Sequence, residues 1–307
     1  MKVLFMGTPD FAVPCIEILI KNGYDVCAAV TQPDKPRGRG HKLTPPPVKS
    51  FALDNGIPVC QPEGLKNGEL ADVLAEHNPD IIIVVAYGKI LPEYILNYPK
   101  YGCVNVHASL LPKYRGAAPI QWSVINGDEK TGVTTMYMEK GLDTGDMILK
   151  SETHINSGET YGELHDRLSE MGAELLLKTV KEIENGTVKR EKQDDSLSCY
   201  APMIFKETGH IDWEKSNKEV LNLINGTNPY PGSYAMYGDT VVKIFKAELC
   251  DKATGAPGEF KIEDKKLKVN CGDGGLLISE VQFKGSRRMT VESYLNGHEI
   301  DESIILK

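Results

Sequence analysis

Hydrophobic and polar positions alternate in blocks through the first two thirds of the chain, and each block reads as one element. Residues 2–6 (Lys-Val-Leu-Phe-Met) have the length and apolarity of a buried strand. Thr8 is placed to cap a helix with Pro9 at its first position, running to Lys21 and stopping at Asn22-Gly23. Residues 25–31 give a second strand, 57–61 a short one and 69–77 a helix. Residues 80–86 (Asp-Ile-Ile-Ile-Val-Val-Ala) are an unbroken apolar run, as expected of a central parallel strand covered on both faces. Strands at 103–108 and 131–138 flank a helix at 118–125, and another strand reaches about residue 155. Thr160-x-x-Glu163 is a capping box, opening a long helix that ends at Asn185-Gly186. This order predicts an α/β domain with a Rossmann-like, open, mostly parallel sheet.

Beyond residue 187 the pattern changes. A polar, mixed-charge stretch reads as a linker, and Ser216-x-x-Glu219 caps a helix to about 224. After Asn228-Pro-Tyr-Pro-Gly232 come short β runs at 233–237, 240–250, 267–271 and 276–283, separated by Gly and Asp turns. The expected organisation is a domain at 1–188, a linker at 189–206 and a small OB-like β-barrel at 207–307.

Composition narrows the class. The chain has 307 residues, 41% of them hydrophobic, and a formal charge of -8, so nothing global suggests a polyanion partner. Residues 1–205 carry 21 Lys+Arg against 27 Asp+Glu, and 206–307 carry 14 against 16, so neither part is basic. Any such partner must meet a local patch. Residues 33–49 supply one: Lys35, Arg37, Arg39, Lys42 and Lys49 accompany a single anion, Asp34. Five prolines and two glycines there argue for an irregular loop, unusually long for an α/β unit. The seven cysteines include no C-x-x-C pair, which suits reduced thiols and a cytoplasmic protein. No signal peptide or membrane span is expected, no metal-ligand spacing occurs among the histidines, and no apolar stripe argues against a monomer.

The candidate chemistry lies at the end of the 103–108 strand. Asn105 and His107 share one face of it. An Asn amide supplies a neutral donor for a developing oxyanion, and an imidazolium adds a charged one. Asp143, in a glycine-flanked loop after a neighbouring strand, is the carboxylate that would favour the charged ring and accept a proton. Ser109 has no nucleophile elbow, so direct acyl transfer between two bound substrates suits the set better than a covalent route. The first βα turn carries one glycine rather than G-x-G-x-x-G, which argues against a dinucleotide site.

Asn105-x-His107 with Ser109-Leu-Leu-Pro112, Tyr114-Arg-Gly-Ala117 and Gly141-Leu-Asp-Thr-Gly-Asp146 resembles the folate-dependent formyltransferases. That resemblance implies a domain binding 10-formyltetrahydrofolate as co-substrate, with Asn105, His107 and Asp143 catalytic. It implies folate contacts from Ser109, Leu110, Leu111 and Pro112 and from Tyr87, Gly88 and Ile90. Gly7-Thr-Pro-Asp-Phe11, the 31–49 insertion, Ile211-Asp-Trp213, Asn228-Pro-Tyr-Pro-Gly232 and Gly285-Ser-Arg-Arg-Met289 extend it over essentially the whole chain. They are similar to members that formylate methionine carried by initiator tRNA. By that similarity Arg37, Arg39 and Lys42 would contact the acceptor stem; with a C-terminal cluster of Lys284, Arg287 and Arg288 this loop would have to outweigh the acidic body of the chain. Two positions depart from the family pattern: Asn225 stands where Arg is usual, and Tyr230 where Trp is usual. A formyltransferase for a nucleotide sugar or other small amine, and a folate-binding protein without transfer, remain alternatives. The first would turn over without tRNA; the second would bind folate only.

Overall fold

The computed structural model describes residues 1–37, 42–251 and 255–307. Two compact units result. One comprises Met1–Pro119, Gly132–Thr153 and His165–Ala201; the other comprises Ile120–Thr131, His154–Leu164 and Pro202–Lys307.

The strands running through the first unit are β1 (Lys2–Gly7), β2 (Asp25–Val30), β3 (Lys35–Arg37), β4 (Lys42–Thr44), β5 (Val59–Cys60), β6 (Ile81–Val85), β7 (Cys103–His107), β8 (Arg115–Gly116), β9 (Lys130–Tyr137), β10 (Met147–His154) and β11 (Tyr200–Ala201). Helices α1 (Val13–Lys21), α2 (Pro47–Asp54), α3 (Ala71–His77), α4 (Glu93–Leu96), α5 (Pro119–Ile125) and α6 (Tyr161–Glu184) alternate with them. The main sheet has the order β10-β9-β7-β6-β1-β2-β5. Pairing is parallel from β5 through β7, while β9 runs antiparallel to β7. Leu4, Met6, Ile82 and Val84 pack with Leu70, Leu74 and Ile95 on one face, and Val3, Phe5, Ile81 and Ile83 are fully buried on the other. After β1 the chain goes one way to β2 and β5, then returns past β1 to β6. That reversal opens a crevice at the carboxyl ends of β1 and β6, where such sheets hold ligands.

Helix α6 supports the strand that carries the site. Its buried positions Leu164, Leu168, Leu175, Leu176, Val180 and Ile183 form one helical stripe. The expected capping box is present: the Thr160 N–H and hydroxyl donate to Glu163 at 2.9 and 2.8 Å. At Gly172 a Cβ would stand 3.0 Å from Val106 Cγ1, so glycine lets the helix lie close on β7.

Two local expectations change. Thr8 does not cap α1; a 3₁₀ turn at Asp10–Ala12 comes first, and Pro9 occupies its N-cap position. The reason is Pro14, which would break the interior of a helix begun at Pro9 but sits harmlessly in the first turn of one begun at Val13. Residues 35–37, 42–44 and 47–54 also take regular structure where the prolines argue for an irregular loop. β3 and β4 form a small hairpin, and Pro47 starts α2, the helical position that tolerates proline best.

The second unit adds α7 (Asn217–Gly226), β12 (Ser233–Tyr237), β13 (Thr240–Cys250), β14 (Phe260–Glu263), β15 (Lys266–Asn270), β16 (Gly275–Phe283), β17 (Met289–Thr290) and α8 (Val291–Leu295). Ser216 and Glu219 cap α7 reciprocally. All strand pairs are antiparallel, in the order β12-β13-β16-β15-β14 with β17 beside β16. Trp213, Ile224, Ile244, Val269, Ile278 and Phe283 are among the residues of its core. Among the described residues no pairing joins β12 to β14, so the sheet is open rather than the closed barrel expected. The same alternation and turns serve either form; closure depends on how the edges meet. Here the C-terminus lies at both edges: Lys307 N–H donates to Met236 O and Leu306 N–H to Gly258 O, each at 3.0 Å.

Candidate active site

Strand β7 delivers Asn105 and His107 to one face because side chains repeat every two residues. Val104 and Val106 fill the opposite face, 0% and 3% exposed. Asn105 pairs with Met136 and His107 with Thr134 across β9. Both are buried, yet among the described residues nothing hydrogen-bonds the Asn105 amide. Its two N–H donors are open to an incoming oxygen.

His107 Nε2 lies 2.9 Å from the Tyr114 carbonyl. A carbonyl only accepts, so Nε2 carries a hydrogen. The other nitrogen, Nδ1, is 3.7 Å from Asp143 Oδ2. A neutral ring would turn its Nδ1 lone pair toward that carboxylate, whereas an imidazolium puts a positive charge opposite it, at a distance too long for a hydrogen bond.

Asp143 itself adopts a left-handed φ of 52°. Aspartate tolerates that region better than most residues, and functional turns often hold such conformations. Its Oδ2 accepts from the Gly116 N–H at 2.8 Å. Gly116 has φ 121°, and a Cβ there would meet the Ala201 carbonyl at 2.7 Å and the Tyr200 ring at 2.8 Å. Only glycine therefore permits β8 to pair with β11 while aiming its N–H at Asp143.

The turn after β7 is tied down by Thr134, whose hydroxyl donates to Ser109 O at 2.7 Å and accepts from Leu111 N–H at 3.1 Å. The Ser109 hydroxyl closes the turn onto Lys113 O at 2.6 Å. Leu111 is buried with Met136 and Met147, while Leu110 and Pro112 are half-buried.

Residues 1–180 match the family model described as formyl transferase, and residues 203–299 match its C-terminal domain. The chain belongs to the formyl transferase family. A methionyl-tRNA formyltransferase of Ruminiclostridium cellulolyticum is 51% identical over 305 residues, 98% of each chain. Among solved structures, a sugar 3N-formyl transferase crystallised with dTDP and 5-N-formyl-THF superposes with a TM-score of 0.70 at 21% identity, covering 94% of this chain and 99% of that one. HypX from Aquifex aeolicus, in complex with tetrahydrofolic acid, gives 0.64 at 17% identity; the match covers 97% of this chain but 47% of HypX. At those identities the two structures speak for the shared formyl transferase fold.

The other expected site residues of this formyl transferase are distributed unevenly. Tyr87 belongs to the core cluster, so its backbone rather than its ring is presented at the crevice. Its carbonyl accepts from Gln32 Nε2 at 3.0 Å and the Thr8 hydroxyl at 3.4 Å, joining the ends of β1, β2 and β6. Burial, with Cys60 and Tyr94 close by, pushes its phenol up to about 12. Gly88 takes φ 82° and Ile90 is 77% exposed. Arg39 lies outside the described residues; Arg37 and Lys42 face each other in the β3–β4 register. Lys49 is not a free cation, since it bonds both Asp34 oxygens at 2.8 and 2.9 Å and Gln61 at 2.7 Å.

In the second unit Arg288 is engaged by Glu280 at 2.7 and 2.9 Å, by Asn228 at 3.2 Å and by the Phe245 ring. Lys284 and Arg287 are exposed. Asn225 is buried on α7, and Tyr230 is 72% exposed.

Several residues around Asp143 escaped the sequence reading. The stretch 189–201, expected as linker, is bonded into the first unit. Met147 and Glu191 exchange backbone hydrogen bonds at 2.8 and 2.9 Å, and β11 pairs with β8. From this stretch Gln193 reaches the Asp143 turn. Its partner Arg115 was inside the quoted Tyr114-Arg-Gly-Ala117 motif, which was the available signal; Gln193 had none.

Proposed function

We propose that the chain transfers the formyl group of 10-formyltetrahydrofolate to the α-amine of methionine on charged initiator tRNA. The observation that carries the chemistry is the open Asn105 amide beside a His107 held between a carbonyl and a carboxylate. Substrate choice rests on the relative named methionyl-tRNA formyltransferase, about half identical along both whole chains. The enzyme acts as a cytoplasmic monomer without a metal. Its folate lies in the crevice between the 109–112 turn and the 87–90 loop. The C-terminal sheet, with the chain end at both edges, is its OB-like tRNA-binding module, and Arg37, Arg39 and Lys42 contact the tRNA.

The amine nitrogen attacks the formyl carbon, and the carbonyl oxygen gathers charge. Asn105 N–H and the Nδ1–H of protonated His107 donate to that oxyanion, while Nε2–H stays on Tyr114 O and Asp143, at 3.7 Å, leaves Nδ1–H uncommitted. Asp143 orients His107 and, directly or through water, takes the proton the amine loses. Collapse expels tetrahydrofolate and leaves the formamide.

The test is a formyl-transfer assay with charged initiator tRNA, charged elongator methionine tRNA and a small amino sugar nucleotide. Turnover confined to the initiator is expected. Asn105→Ala and Asp143→Ala should each lower kcat by about 10²–10³-fold. Retained activity within a few fold, or preference for the sugar, would reject the reading.

A further inference from the structure

Gln193 lies far from the site in sequence and contacts it without touching any catalytic side chain. Its Nε2 donates to Asp143 O at 2.7 Å and to Gly145 O at 2.9 Å. Its Oε1 accepts from Arg115 Nε at 3.0 Å and Nη2 at 2.8 Å. Both amide hydrogens and the carbonyl oxygen are thus used, and the amide has one sense only. Reversing it would set oxygen against two carbonyls and N–H against a guanidinium. Arg115 is fixed in turn by Asp195 Oδ1 at 2.7 Å.

The residue after Arg115 completes the arrangement. Gly116 N–H holds the Asp143 carboxylate at 2.8 Å, while the Arg115 side chain, through Gln193, holds the Asp143 backbone. One two-residue strand therefore grips Asp143 at both ends. The grip has a task. Asp143 sits at a left-handed φ of 52°, a conformation that persists where surroundings enforce it. Its carboxylate must also stay beside His107 Nδ1, at 3.7 Å.

We propose that Gln193, locked by Arg115, is a positioning residue that fixes the 143–145 turn and so the Asp143 carboxylate against His107. This rests on the role of Asp143 given under Proposed function. Loss of the Gln193 donor lets the turn relax and weakens the alignment of Asp143, leaving substrate binding in place. A side chain misplaced by about an ångström can cost up to about 10²-fold in rate.

The experiment measures kcat, both KM values and Tm for Gln193→Ala, Gln193→Glu, Asp143→Ala and the Gln193→Ala/Asp143→Ala double variant. Gln193→Ala is expected to lower kcat by about 10–100-fold with KM for folate and tRNA within about threefold. Gln193→Glu keeps the acceptor for Arg115 and the volume but loses the donor, so it should be as impaired as the alanine. In the Asp143→Ala background, Gln193→Ala should cost no more than about twofold further, because the two act as a unit. Three results would overturn the proposal: Gln193→Ala within about twofold of wild type, full rescue by glutamate, or losses that multiply in the double variant. Should the alanine variant fail to fold, Gln193→Glu decides alone through its kcat-against-KM split. An Asp143→Ala enzyme that remains active would instead strike the reading of the site itself.

Discussion

His107 illustrates how a residue's role is set by what its atoms can and cannot donate. Tyr114 O fixes one hydrogen on Nε2, and Asp143 faces the other nitrogen. Asp143→Asn keeps the size and the acceptor for Gly116 but removes the negative charge opposite Nδ1. We expect kcat to fall by about 10²-fold with Tm nearly unchanged, as steady-state kinetics and a thermal melt would report. Gly116→Ala should act differently. The new methyl meets the Ala201 carbonyl and the Tyr200 ring at a φ alanine avoids, so β8 separates from β11. Both Tm and kcat should drop, with a cost of about 1–3 kcal/mol; an alanine variant with wild-type Tm would contradict the geometry. The placement of Asn105, His107 and Asp143, the trio proposed as catalytic, was legible because its signals are local: a shared strand face for Asn105 and His107, and an acid between glycines for Asp143. Gln193 was not, because it acts on carbonyls, which every residue has, from a stretch without periodicity.

At the scale of elements, the capping boxes were the most readable features, since each needs only two side chains three residues apart. The Glu163 carboxyl is held below its usual range, chiefly by the Thr160 N–H and then by the Thr160 hydroxyl. A depressed carboxylate adds stability above its unfolded value of about 4.3 and loses it as pH falls through the lower folded value. Glu163→Gln should therefore melt below wild type at pH 7, and the gap should close below about pH 4. A gap that persists in acid would mean the charge is not what the cap uses. Thr160→Ala removes the cap oxygen itself and should cost about 1 kcal/mol in a denaturant titration. Elements were misread where one residue overruled the pattern. Pro14 moved the start of α1, and Pro47 began a helix inside an apparent loop. β14 was missed because its turn to β15 is made by Asp264 and Lys265, at φ 46° and 61°, with no glycine to mark it. The ring of Tyr87, expected in a ligand loop, turns inward to pack in the cluster of Ile82 and Val84, after Ala86 has taken a left-handed φ of 48°.

At the scale of the whole molecule, a chain of charge -8 must still bring a polyanion to its site under the proposed function. Counting cations overstates what is available, because the structure commits two of them. Lys49 is neutralised by Asp34. Arg288 is neutralised by Glu280. Of the cations read from the sequence, that leaves Lys35, Arg37, Arg39 and Lys42 in one patch and Lys284 and Arg287 in the other. Each cation that meets a phosphate releases counterions, and the slope of log K against log salt changes by about 0.7–0.9 per contact. Arg39→Ala should thus lower that slope by about one unit, weaken binding of charged initiator tRNA and leave the folate KM unchanged. Arg288→Ala makes the contrasting case. It should leave the salt slope unaltered and lower Tm, because it strips a partner from Glu280 and Asn228 rather than from a phosphate. A filter-binding series across salt concentrations separates the two. If Arg288→Ala changed the slope as much as Arg39→Ala, its ion pair with Glu280 would have to give way to the tRNA on binding.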